Sequence, residues 1–194
     1  MVPFIHSQTV AERFADVDMV VSCGDLPADY LEYVVSTLDI PLVYVPGNHD
    51  PDDLDVPGGI SVDGRLVRVN GISIVGLGGS RRYKPKGRHQ YTEAEMRWRM
   101  VRLLPKLILA RIRHGRGLDL FLTHAPPFGV HDASDYAHVG FAVFRGFLRY
   151  FRPRLMVHGH THLNRNLEQT ISRLHGCHVI SVFQYRVVDF AELT

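Results

Sequence analysis

Four short polar clusters carry the residue types from which a metal centre is built. They are Gly24-Asp25, Gly47-Asn48-His49-Asp50, Thr123-His124 and His158-Gly159-His160-Thr161-His162. Carboxylate, carboxamide and imidazole groups together suit a hydrolytic manganese, iron or zinc centre, and imidazole is the commonest metal ligand at neutral pH. Each cluster alone is weak. An aspartate after a strand is common, GNHD can be a turn whose side chains bond their own backbone, and a lone histidine often packs in a core. Alternation in HGHTH is also compatible with three histidines lining one face of an extended chain. The ordered set of four is the specific signal. No serine or cysteine triad and no phosphate-cradling glycine loop accompanies it.

The clusters share a position: each follows a short apolar run. MVVSC (19–23) precedes Gly24, PLVYVP (41–46) precedes Gly47, LDLFL (118–122) precedes Thr123, and RLMVH (154–158) runs into the last motif. Apolar runs of that length read as buried strands, and α/β sheets bind ligands beyond the carboxyl ends of their strands. Helices are expected at 9–15, 28–38 and 141–151. Another is expected from the capping box Thr92-Glu93-Ala94-Glu95 towards His114, divided by Pro105. Asn70-Gly71 between RLVRV and ISIVGL marks a hairpin. The tail HVISVFQYRVVDF reads as two short strands or one bent one. These elements predict an α/β fold with a mixed sheet or two packed sheets, in a single domain over 1–194.

Bulk properties bound the rest. An apolar fraction of 45% is ordinary for a globular chain, and no run is long enough to span a membrane. The N-terminus lacks the pattern of a secretion signal, and two cysteines, Cys23 and Cys177, are too few for a disulfide framework. A cytoplasmic protein with no membrane partner is expected. The net charge of +2 hides an asymmetry: eleven acidic residues against Arg13 alone in 1–55, and twelve basic residues against Glu93 and Glu95 in 81–116. A basic segment is either a solvated face or a contact for an anionic partner.

GD (24–25), GNHD (47–50), TH (123–124) and GHTH (159–162) resemble the calcineurin-like metallophosphoesterase superfamily in the same order, over nearly the whole chain. The resemblance implies a four-layer α/β/β/α sandwich with two mixed β-sheets and a phosphate ester as substrate. It also implies two divalent metals, with manganese favoured and iron or zinc as alternatives. By position, Asp25 resembles the carboxylate bridging both metals. Asn48, His124 and His160 resemble the other ligands of the second metal, and His162 a ligand of the first. His49 resembles the histidine that steadies a phosphoryl oxygen or protonates the leaving group. His158 has no ligand counterpart and is expected to support from behind.

The superfamily normally begins with a strand and Asp-x-His, which supply two ligands to the first metal. Here Phe4-Ile5-His6 stands nearest, and phenylalanine cannot ligate. The first strand and its motif are therefore expected to be missing or truncated, and the first metal to be weakly held, since two protein ligands are few. A sheet edge left unpaired by that loss would favour a homo-oligomer. The loop after His124, with Pro126, Pro127, His131 and Asp132, is expected to wall the cleft. His138 and Arg81 are further candidates for substrate contact. The expected activity is hydrolysis of a phosphodiester or small nucleotide-type ester by a metal-activated water, with nucleic acid the less favoured substrate. The alternative is a weak or inactive scaffold on the same fold.

Overall fold

The computed structural model describes residues 10–115, 117–161 and 170–193. The chain opens with α1 (Val10–Arg13), β1 (Val20–Ser22), α2 (Ala28–Leu38), β2 (Leu42–Tyr44) and β3 (Gly59–Ser61). It continues with β4 (Leu66–Val69), β5 (Ile72–Leu77), β6 (Ser80–Arg81) and β7 (Gln90–Tyr91). Next come α3 (Glu93–Val101), α4 (Leu104–His114), β8 (Leu120–Thr123) and α5 (Ala142–Phe151). The last elements are β9 (Leu155–His158), β10 (Ile171–Leu174) and β11 (Cys177–Ser181).

Two sheets stack face to face. The six-stranded sheet runs β10-β11-β9-β8-β5-β4 and is mixed; the three-stranded sheet β1-β2-β3 is parallel throughout its described strands. Side-chain alternation makes the layers. On β2, Leu42 and Tyr44 pack outward with Tyr30, Leu31 and Val34 of α2, while Val43 turns inward between the sheets. On β8, Leu120 and Leu122 turn towards that inter-sheet core, while Phe121 packs with Met96, Leu107 and Phe144 from α3, α4 and α5. The result is the four-layer α/β/β/α arrangement.

Local signals are realised where they are strong. Thr92 accepts from the Glu95 backbone N–H at 3.2 Å and the Glu95 carboxylate accepts from the Thr92 N–H at 2.7 Å, closing the capping box. Asn70 and Gly71 both take positive φ, 49° and 80°, as a two-residue hairpin turn requires, and β4 pairs antiparallel with β5. Pro105 divides the long helix by its missing N–H, so α3 ends at Val101 and α4 begins at Leu104.

Two features differ from the sequence reading. The weakly patterned β3 and β10 exist because each pairs with a stronger neighbour, β2 and β11 respectively. The tail is one strand, β11, followed by irregular chain whose Val188, Phe190 and Leu193 still pack on the inter-sheet core. Burial of those side chains holds the segment without a ladder. Leu77, Thr123 and His158 stand level across β5, β8 and β9, so their exits open along one edge.

Candidate metal centre

After β1 the chain turns through Gly24 at φ 92° and Asp25 at φ 59°, the latter an uncommon conformation for a residue with a side chain. The Asp50 carboxylate holds this turn against the exit of β2. Its Oδ2 accepts from the backbone N–H of Asp25 at 2.9 Å and of Gly47 at 2.7 Å. A Cβ at residue 47 would lie 2.0 Å from Asp25 Oδ1, so only glycine admits that carboxylate. Asp25 Oδ1 accepts from the His49 N–H at 2.9 Å, which leaves Oδ2 facing His124 Nε2 at 3.4 Å.

His124 is almost wholly buried and donates Nδ1–H to the carbonyl of Cys23 at 2.7 Å. Its Nε2 therefore carries a lone pair. That lone pair faces Asn48 Oδ1 at 3.0 Å and His160 Nδ1 at 3.1 Å. Both neighbours are set as acceptors too. Asn48 donates its Nδ2–H to the Tyr83 hydroxyl at 3.1 Å, turning Oδ1 inward, and His160 donates Nε2–H to the Ala137 carbonyl at 2.8 Å. Burial pushes His124 below the usual imidazole range, and burial followed by the nearby His124 pushes His160 down to about 4. Both rings are neutral, the form that ligates a metal.

Asp25, Asn48, His124 and His160 thus point four lone pairs at one another, with no hydrogen among them to satisfy any pair. Ligand atoms about 2.0–2.2 Å from one ion stand roughly 3.0–3.5 Å apart, the separation found around His124 Nε2. The donor set fits a divalent cation. Among the described residues, Asp25, His124 and His160 are the group whose ligand atoms lie within 4.8 Å of one another.

The structure separates His158 and His160 of HGHTH. His158, last in β9, is fully buried and turns towards the helical layer. It donates Nδ1–H to the Gly159 carbonyl at 3.1 Å and accepts at Nε2 from His131 Nδ1–H at 3.1 Å. His131 in turn accepts at Nε2 from the Ser172 hydroxyl at 2.8 Å. Burial holds His158 down at about 3, so it stays neutral behind the site. His160, past the strand end at φ 65°, swings to the metal side. His162 and His6 lie outside the described residues.

The other candidates divide. His49 is exposed at the rim and holds Asp25 through its own backbone. His138 stacks 5.0 Å from the His160 ring, and its Nδ1 donates to Asp135 at 2.7 Å. Arg81 does not join them. Its guanidinium pairs with Glu93 at 2.5 Å and lies over Phe141, and Glu93 also accepts from the Val143 N–H in the first turn of α5. Glu93, twelve residues on, holds the Arg81 guanidinium, which keeps partial solvent exposure. Sequence reading weighed Tyr83 for base stacking or packing, not for orienting Asn48, and assigned no role to Asp50 or the carbonyls of Cys23 and Ala137. Only the adjacency of Asp50 to GNH hinted at one of them.

A family model described as calcineurin-like phosphoesterase matches residues 5–164, which includes every element that reaches this centre. The chain belongs to the calcineurin-like phosphoesterase family. Membership suggests metal-dependent hydrolysis of phosphate esters as the chemistry of the site. An uncharacterized protein of Methanocaldococcus jannaschii, MJ1162, is 27% identical over 173 residues, covering 80% of this chain and 73% of its own. The crystal structure of TT1561 from Thermus thermophilus superposes with a TM-score of 0.61 at 15% identity. That superposition covers 89% of this chain and 80% of the other, and it shows a common fold. Among the described residues, no helix is long and apolar enough to cross a membrane.

Proposed function

We propose that this calcineurin-like phosphoesterase hydrolyses a phosphodiester or small nucleotide-type ester by attack of an activated water. The observation that carries the reading is the convergence of four lone pairs on one point, which a scaffold has no use for and which is repulsive without a cation. When bound, a divalent ion, with manganese favoured and iron or zinc as alternatives, supplies a Lewis acid and lowers the pKa of water. Asp25, Asn48, His124 and His160 would hold it. A second ion of the family pair would rest on Asp25 and His162 and be held more weakly.

The chain's own groups then divide the work. The exposed His49 imidazole reaches the rim, where it contacts a phosphoryl oxygen or gives its proton to the leaving alkoxide. Its backbone N–H keeps Asp25 oriented in the same step. His138, its tautomer set by Asp135 on Nδ1, presents Nε2 beside His160 to position the ester.

Metal analysis of the purified protein, with hydrolysis of a chromogenic monoester and diester in manganese, tests the reading. The wild type should hydrolyse the diester. His124→Ala should lose bound metal and turnover together, and His49→Ala should keep metal while turnover falls by about 10²-fold or more. No turnover of either ester, with metal content unchanged by His124→Ala, would overturn it.

A further inference from the structure

The outer face of α3 and α4 has a pattern the metal centre does not use. Met96, Met100, Leu103 and Leu107 form the buried stripe of these helices. At the junction, Arg102 (φ −63°, ψ −22°) and Leu103 (φ −84°, ψ −21°) stay right-handed helical, so the helical phase carries across the break at Pro105. At about 100° per residue, Trp98, Val101, Ile108, Leu109 and Ile112 fall on the arc directly opposite the buried stripe. All five are exposed, Trp98 to 65% and Ile112 to 76%. The same count puts Arg97 and Arg111 on one flank and Arg102, Lys106 and Arg113 on the other.

Charge narrows what this face meets. None of those five cations forms an ion pair with a described residue, and no Asp or Glu occurs anywhere from Met96 to Leu118. Tyr150 on α5 extends the apolar strip, lining one shallow groove with Ile108 and Ile112. We propose that this face docks on an anionic lipid bilayer, the aliphatic and tryptophan ridge entering the headgroup boundary while the flanking cations meet lipid phosphates. An apolar ridge between two cationic rows, the first-turn carboxylates Glu93 and Glu95 being held by Arg81 and Arg82, is the form of a helix lying in the membrane interface. A second copy would set like charges against each other. A nucleic acid would contact the cations and could stack a base on Trp98, but it would gain nothing from the aliphatic Val101, Ile108, Leu109 and Ile112. The contact lies on the bilayer and needs no spanning segment, and it departs from the expectation of no membrane partner. It is independent of the ester-hydrolysis reading.

Trp98 is the only tryptophan of the chain, so its emission reports this face alone. The full chain is mixed with vesicles of phosphatidylcholine, or of phosphatidylcholine with phosphatidylglycerol, and read by co-sedimentation and fluorescence. The expected result is a blue shift and at least about tenfold stronger binding to the anionic vesicles, weakened by salt. Ile112→Glu should remove most of the binding, and Arg102→Glu should reduce it about fivefold or more. Both should leave ester hydrolysis in solution unchanged. Equal binding to both vesicle types, an unshifted Trp98, or full binding by Ile112→Glu would overturn the proposal. So would self-association without vesicles that Ile112→Glu abolishes, which would make the face a contact between copies. Failure of hydrolysis in the wild type would leave these readings untouched.

Discussion

The amide of Asn48 donates to the Tyr83 hydroxyl at 3.1 Å, and this bond decides that Oδ1, not Nδ2, faces His124. Tyr83→Phe keeps the ring and removes the acceptor, freeing the amide to rotate. Metal affinity should fall roughly tenfold, the scale for losing a group that orients a ligand. Competition with a coloured chelator measures it; unchanged affinity would mean that the carboxamide is oriented without Tyr83.

The Ser172–His131–His158 chain satisfies a fully buried imidazole. His131→Ala strips the donor from His158 Nε2, and an unsatisfied buried acceptor costs about 1–3 kcal/mol. Urea unfolding of the metal-free protein should show that loss as a lower midpoint. Ser172→Ala should cost less, about 0.5–1.5 kcal/mol, because it removes one ordinary hydrogen bond.

Arg99 reaches both oxygens of Asp63 at 2.6 Å, bonds the Gly78 carbonyl at 2.9 Å and stacks 4.2 Å over Tyr91. Asp63 also accepts from the Gly78 N–H at 2.6 Å, so the pair clamps the chain just beyond β5. The groups retain some solvent contact, so Arg99→Ala should cost about 1–3 kcal/mol rather than the full penalty of a buried pair. Arg99→Lys should recover only part, since an ammonium cannot reproduce the planar fork. Thermal melts of the three proteins decide it; equal recovery by lysine would show that charge alone matters.

Acid should destabilise the metal-free protein. His158 is held at about 3 and His160 at about 4, both chiefly by burial, and His124 is lowered for the same reason. The unfolded chain takes up these protons near pH ~6.5 and the folded one does not. The stability contributed is therefore complete above about pH 6.5 and is lost as pH falls towards the folded values. Melts in chelator should drop steadily from about pH 7 to about pH 4, by a few kcal/mol in all. A flat profile over that interval would contradict neutral burial of these rings.

Local chemistry was legible in the sequence. The bounds of α2, the Thr92 capping box, the Asn70-Gly71 hairpin and the break at Pro105 each depend on residues a few positions apart. So does the appearance of Asp25, Asn48, His124 and His160 just past apolar runs. Elements without their own pattern, such as β3 and β10, were not legible, because a neighbouring strand supplies their stability.

Finer decisions at the centre belong to the tertiary structure. His158 and His160 are alike in sequence, yet one ends a strand facing the helical layer and the other lies beyond it at positive φ. Arg81 was a candidate for phosphate or a solvated loop charge, and only the fold sets Glu93 against it. The lone pair on His124 Nε2 exists because a carbonyl 101 residues away accepts the proton on Nδ1. Residue types nominate ligands, but which atom of each side chain is left to bind depends on hydrogen-bond partners that only the folded chain brings within reach.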